Sequence, residues 1–137
     1  MTDEKRYRLR KGTEIVGYMR KIGSQSYFYS KDSFWWTGRP ISYQHVDEWI
    51  GLLDMNRIPI YEWDILKYKI DPDGPYEEGV ILWENRSKCF GIQNLAEDVF
   101  IPLFLNDIQM FNDRQLQVFS YLFLNPHLME RFGLKED

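Results

Sequence analysis

Apolar and polar residues alternate along most of this chain with a period of two, the spacing of strands rather than helices. Residues 7–11 and 13–20 carry that alternation on either side of Gly12, a residue suited to a tight turn, and predict a first hairpin. Residues 26–30 add a short aromatic strand. Residues 47–54 and 58–61 flank Met55, Asn56 and Arg57, with Asn56 expected to take the positive backbone angle of a hairpin loop. Pro59 has no backbone donor, so the strand it opens is expected at a sheet edge.

The clearest hairpin follows. Leu66, Tyr68 and Ile70 alternate with Ile65, Lys67 and Lys69, giving one apolar and one mixed face. The loop at 71–75, Asp-Pro-Asp-Gly-Pro, returns the chain into residues 79–84, and a second reversal at 85–87 leads to residues 88–94. This predicts a three-stranded antiparallel meander. Another apolar run, 100–105, is interrupted by Pro102. Residues 115–124 fit a strand and also a helix, and the β-branched and aromatic residues at their middle favour the strand. A short helix over 127–132 has clear punctuation: Asn125 as N-cap, Pro126 at the first helical position, Gly133 as the stop. The pattern gives a mainly β fold with one short C-terminal helix.

Composition sharpens this in two respects. Five Trp, nine Tyr and nine Phe make 17% of the 137 residues, which suits strands and small barrels filled with aromatic side chains. Charge is uneven: residues 1–31 hold eight Lys and Arg against three Asp and Glu, a net of +5, and the other 106 hold nine against eighteen, or −9. Such asymmetry suits a basic arm for nucleic acid, a head-to-tail contact between subunits, or merely solvated strand faces. The single Cys89 excludes an intramolecular disulfide, and no apolar run approaches the roughly 20 residues of a membrane span. A cytoplasmic protein is the expectation, since the charged first ten residues lack the apolar centre of a signal peptide.

Candidate chemistry is sparse. Glu62 and Asp64 are near enough in sequence to suggest paired acids, but Asp64 at a strand entry suits a carboxylate accepting backbone N–H groups in a turn. The 71–75 loop has the opening of a calcium loop, yet it has Tyr76 and Leu82 where an EF-hand needs glycine and a bidentate glutamate. His45 and His127 are far apart without Cys partners, and Cys89 reads as a half-buried strand thiol. No metal, cofactor or catalytic residue is expected. The remaining cluster is Tyr27, Phe28 and Tyr29, then Phe34, Trp35, Trp36, Arg39 and Tyr43. Neighbouring residues on a strand face opposite sides, so Trp35 and Trp36 cannot enter one core together. The cluster is read first as core packing; the tryptophan left outside, beside Arg39, would otherwise anchor a protein interface or stack on bases.

In order along the chain stand Gly51-Leu-Leu-Asp54, Ile60-Tyr-Glu-Trp-Asp-Ile65, Gly79-Val-Ile-Leu-Trp83, Phe90-Gly-Ile92 and Asn125-Pro-His-Leu128. Over residues 49 to about 130 this set resembles YopX-like proteins, a family encoded by bacteriophages and prophages. The resemblance implies a predominantly β protein with antiparallel meander and small SH3-like barrel elements, often self-associating, with no established biochemical activity. It divides the chain into a basic, strand-rich lobe at 1–48 and a YopX-like β-barrel lobe with the helix at 49–137, packed as one compact unit. The family usually has glycine where Trp63 stands, and a bulky side chain there argues against a positive backbone angle at this corner. It also often reads Ile-Gly-Asn where this chain has Phe119-Ser-Tyr121.

The functional expectation is a non-enzymatic phage or prophage accessory protein in the cytoplasm of a bacterial host. It self-associates and works through a protein interface with itself or with a host or phage protein. Trp35, Trp36, Arg39 and Trp63 are its candidate contacts. One alternative is a small β-barrel nucleic-acid binder using Arg6, Arg8, Arg10, Arg20 and Lys21. Another is an acidic inhibitor of a host factor, whose C-terminal portion imitates nucleic acid.

Overall fold

Antiparallel strands account for the fold, as the alternation predicts. In the computed structural model, which describes residues 4–31 and 36–134, the chain divides into two compact units, Met1–Trp49 and Ile50–Asp137. Among the described residues, no helix is long and apolar enough to cross a membrane.

The first unit is built from β1 (Glu4–Lys11), β2 (Glu14–Ile22) and β3 (Gln25–Tyr29), joined by tight turns, and from the beginning of β4 (His45–Leu53). Gly12 and Gly23 sit in the turns with φ of +57° and +62°, a region glycine enters without a Cβ penalty. Arg8 pairs with Tyr18 on one side and Asp47 on the other, so β1 is a central strand. Leu9 and Met19 are buried on the face opposite Arg8 and Arg10.

The second unit contains the end of β4 and its neighbour β5 (Pro59–Tyr61), then β6 (Asp64–Tyr68), β7 (Glu77–Glu84), β8 (Cys89–Asn94) and β9 (Phe100–Pro102). A small hairpin, β10 (Phe104–Leu105) and β11 (Ile108–Gln109), precedes β12 (Leu116–Tyr121) and the helix α1 (Pro126–Arg131). The larger sheet has the order β12-β6-β7-β8-β9, so the predicted meander is present and gains a strand on each side. β12 and β9 form its edges. Pro59 lies in a three-residue edge strand, the place in a sheet where a residue without an N–H is best tolerated.

Both faces of this sheet are covered. On one face Leu66, Tyr68, Ile81, Ile92 and Leu116 pack with Ile50, Leu52, Ile60, Leu103 and Phe111. On the other, Ile65, Val80 and Leu122 lie under Leu128, Met129 and Phe132 of the α1 region. Two-sided burial corrects the sequence reading of 65–70. Ile65, placed on a mixed face, is buried, and Ile70, placed on the apolar face, is exposed because β6 ends at Tyr68. Gly79 leaves room for the Ile92 side chain and the Tyr68 ring on the adjoining strands, a space that a Cβ would fill.

Three other local expectations need correction. The positive φ in the 55–57 turn belongs to Arg57, at +63°, and not to Asn56. The Asp54 carboxylate explains the difference: its Oδ1 accepts the N–H groups of Asn56 and Ile58 and fixes the turn from the preceding residue. The 115–124 segment is a strand only through Tyr121, after which Leu122–Leu124 tightens into a 3-10 turn. Asn125 precedes α1 as predicted, but its amide donates to the Tyr121 carbonyl and the Ser120 hydroxyl instead of capping the helix with its side chain.

Candidate functional site

Strand alternation determines where the first unit's basic residues point. Arg6, Arg8 and Arg10 share one face of β1, and Arg20 lies directly opposite Arg6 on β2. Lys21 lies opposite Lys5 on the other face. The five candidate nucleic-acid contacts are therefore not gathered into one basic stripe.

Arg8 and Arg10 are withdrawn from the surface, only 2% and 1% exposed. Asp47, opposite Arg8, receives both: its Oδ2 accepts Arg8 Nε at 2.8 Å and Arg10 Nε at 2.7 Å, and its Oδ1 accepts Arg10 Nη2 at 2.9 Å. Arg10 Nη1 also donates to the Gly12 carbonyl at 3.2 Å. As expected surface contacts for phosphate, these two arginines are corrected to interior ones. A charged pair this deep is held by geometry, because desolvation offsets much of its Coulomb attraction.

Arg6 and Arg20 are more accessible and already share an anion. Glu4 Oε1 accepts Arg20 Nε at 2.6 Å and Arg6 Nε at 3.0 Å, while Arg20 also reaches the Tyr29 hydroxyl. These hydrogen bonds, first from Arg20 and then from Arg6, hold the Glu4 carboxyl below its ordinary value. The Glu4 hydrogen bond raises Arg20 in turn. The Arg6 guanidinium lies 5.0 Å from the centre of the Trp49 ring, within cation–π range. The cluster is a solvated network whose charge is partly neutralised.

Beyond β3, Trp36 bridges back to Tyr29, and the Thr37 N–H donates to the Phe28 carbonyl. This fixes the backbone while the Trp36 side chain remains 63% exposed, with Arg39 exposed nearby in sequence. Trp35 lies outside the described residues.

Trp63 has a different environment. Its φ is +74°, so the corner keeps the positive backbone angle that the sequence reading argued against. Hydrogen bonds hold it there: Trp63 N–H donates to the Ile81 carbonyl, Leu122 N–H donates to the Trp63 carbonyl, and Tyr61 N–H donates to Asp64 Oδ2 at 2.9 Å. The side chain packs against the Ile65, Val80 and Leu122 cluster that also receives α1. Trp63 is half-buried structural material, and Asp64 has the turn-forming role inferred for it.

This corner gives an unusual order of substitutions. Trp63→Gly relieves a left-handed backbone cost of about 1 kcal/mol but loses the ring, whereas Trp63→Ala loses the ring and keeps the cost. Both variants should be less stable than the parent, with alanine the worse by about 1 kcal/mol in urea denaturation. Equal stability of the two variants would show that the backbone strain has relaxed.

The prominent surface that sequence reasoning missed is the β10–β11 hairpin. Phe104, Leu105, Ile108 and Met110 are all exposed, between the buried Leu103 and Phe111. Its signal was Asn106-Asp107 between Phe104-Leu105 and Ile108-Gln109-Met110; both turn residues adopt positive φ, 52° and 66°. A shallow cleft of about 330 Å³ is lined by Glu77, Glu78, Asn94, Leu95 and Ala96. Asn94 is engaged there in structure: its amide donates to the Tyr68 hydroxyl and Glu77, and its oxygen accepts the N–H groups of Ala96 and Glu97. Among the described residues, no group of three or more His, Cys, Asp or Glu side chains is arranged to hold a metal ion.

Compared with known proteins, the chain matches no family model, no curated protein and no solved structure.

Proposed function

We propose that this chain is a YopX-like accessory protein of phage or prophage origin, non-enzymatic and self-associating, that acts through a protein interface. The carrying observation is Trp36, held by a backbone bridge yet 63% exposed. A positioned aromatic side chain can bury much of its surface on a partner with little further loss of freedom, which is why tryptophan is common at interface centres. The ordered motifs from Gly51 to Leu128 support the family reading. The buried carboxylates support a structural role for the acidic residues, since Asp47 holds arginines and Asp54 and Asp64 hold backbone N–H groups. Interior Arg8 and Arg10, together with Lys21 on the opposite face from Arg6 and Arg20, favour a protein partner over nucleic acid.

Light scattering coupled to size-exclusion chromatography tests the reading. The expected result is a concentration-dependent oligomer, weakened at least about tenfold by Trp36→Ala with little change in unfolding midpoint. A strict monomer throughout the micromolar range would sink it.

A further inference from the structure

The β10–β11 hairpin is built to be stable and apolar at once. Its two ends enter the core, where Leu103 is fully buried and Phe111 nearly so. Between them all seven residues, 104–110, are exposed, and Ile108 reaches 67%. Phe104 pairs with Gln109 and Leu105 with Ile108 around the Asn106-Asp107 turn. Gln109 adds a side-chain hydrogen bond to the Phe111 carbonyl. Loop tips are ordinarily polar, so four large apolar side chains on an anchored hairpin mark a contact surface.

Charge indicates what covers it. Between Lys88 and Arg114 the chain has four acidic residues, Glu97, Asp98, Asp107 and Asp113, and no lysine or arginine; Asp113 is paired with Arg57 at 3.5 Å. Asp107 lies in the hairpin turn itself. A suitable partner is apolar with a basic border. The first unit has that chemistry: nine Lys and Arg against six Asp and Glu give it +3, while the second unit, with eight against fifteen, carries −7. It exposes Trp36, Tyr43 and Val46 as well as Lys5, Lys21 and Arg39.

We infer that the hairpin docks onto the first unit of a second copy of this chain, a head-to-tail contact that extends the self-association reading on which it rests. Such a contact joins two different surfaces, so an open assembly of any length retains one free hairpin at one end and one free receiving surface at the other until a ring closes. The apolar tip supplies desolvated contact, and the acidic residues favour the basic unit at a strength that falls with salt.

The test is analytical ultracentrifugation of the full chain and of a Leu105→Lys, Ile108→Lys double variant, each checked for an unchanged thermal midpoint. Docking predicts that the variant's association constant falls by at least about tenfold, and that parental association weakens with added salt. Asp107→Asn, which tolerates the same backbone angle, should weaken association less without disturbing the hairpin. Added to the parent, the double variant should shorten the assemblies, because its receiving surface is intact and its hairpin is not.

Parental association with an unchanged constant in the double variant would overturn the hairpin assignment while leaving self-association standing. A monomeric parent would overturn both. Sedimentation of a monomeric parent with phosphatidylcholine vesicles, lost in the double variant, would assign the hairpin to a lipid surface and overturn the second copy as its occupant.

Discussion

Asp47→Ala should destabilise the first unit by about 3–5 kcal/mol, the usual effect of removing one partner from a buried ion pair. Asp47 accepts from Arg8 and Arg10 together, and all three residues are almost fully buried. Alanine removes the carboxylate and leaves two buried cations short of it. Repacking cannot readily offset the change, because a guanidinium remains charged at any pH the fold survives. Asp47→Asn preserves the shape and one acceptor oxygen, so its loss should be smaller. Hydrogen exchange across Arg8, Leu9 and Arg10 provides the local readout, alongside urea denaturation. A loss below about 1 kcal/mol would show that other groups carry the arginines.

Asp54→Ala should have a similar effect in the second unit. This fully buried carboxylate accepts three backbone N–H groups: Asn56 at 2.8 Å and Ile58 at 3.0 Å on Oδ1, and Val118 at 3.0 Å on Oδ2. Alanine removes the acceptor of all three. The Asn56 and Ile58 donors lie in an exposed turn that water reaches, while Val118 is half-buried and bears more of the penalty of about 1–3 kcal/mol for an unsatisfied donor. A loss of about 2–4 kcal/mol is therefore expected. Asparagine separates the two ends of the interaction. Its oxygen can keep the turn at Asn56 and Ile58, but its amide nitrogen then confronts the Val118 N–H, donor against donor. Exchange of the Val118 amide should accelerate in both variants, and that of Ile58 mainly in the alanine variant. Equal protection of Val118 in the parent and both variants would contradict the assignment.

These aspartates mark where sequence reading stops. Asp64 was legible because its acceptor role is completed within three residues. The 71–75 loop was legible for the same reason, with Asp71 Oδ1 accepting the Asp73 N–H. Pro59 announced its edge strand through its missing donor. Asp47 finds Arg8 and Arg10 across 39 and 37 positions, which requires the pairing register of β1 with β4, and no periodicity reveals which strands become neighbours. Arg8 and Arg10 consequently read as surface charge, the default for arginine. The exposure of Trp36 was legible, because adjacent strand residues are expected on opposite faces, but that of the β10–β11 hairpin was not, since its apolar residues resemble core residues until Leu103 and Phe111 are seen to enter the interior without them. Trp63 shows a different limit. Residue type was read as a statement about backbone angle, while packing under α1 favours the ring strongly enough to keep it at positive φ.

The long reach of Asp54 also has an entropic meaning. Leu66 pairs with Gly79 thirteen positions later in the meander, and with Val118 fifty-two positions later at the edge formed by β12. A fourfold longer loop is two doublings, so closing it costs about 1.2 kcal/mol more in chain entropy than closing the hairpin. Asp54, whose bond to Val118 spans 64 positions, helps hold β12 where the connecting chain is among the longest in the unit. Its carboxylate therefore both shapes a turn beside it and restrains the remote strand most costly for the chain to bring home.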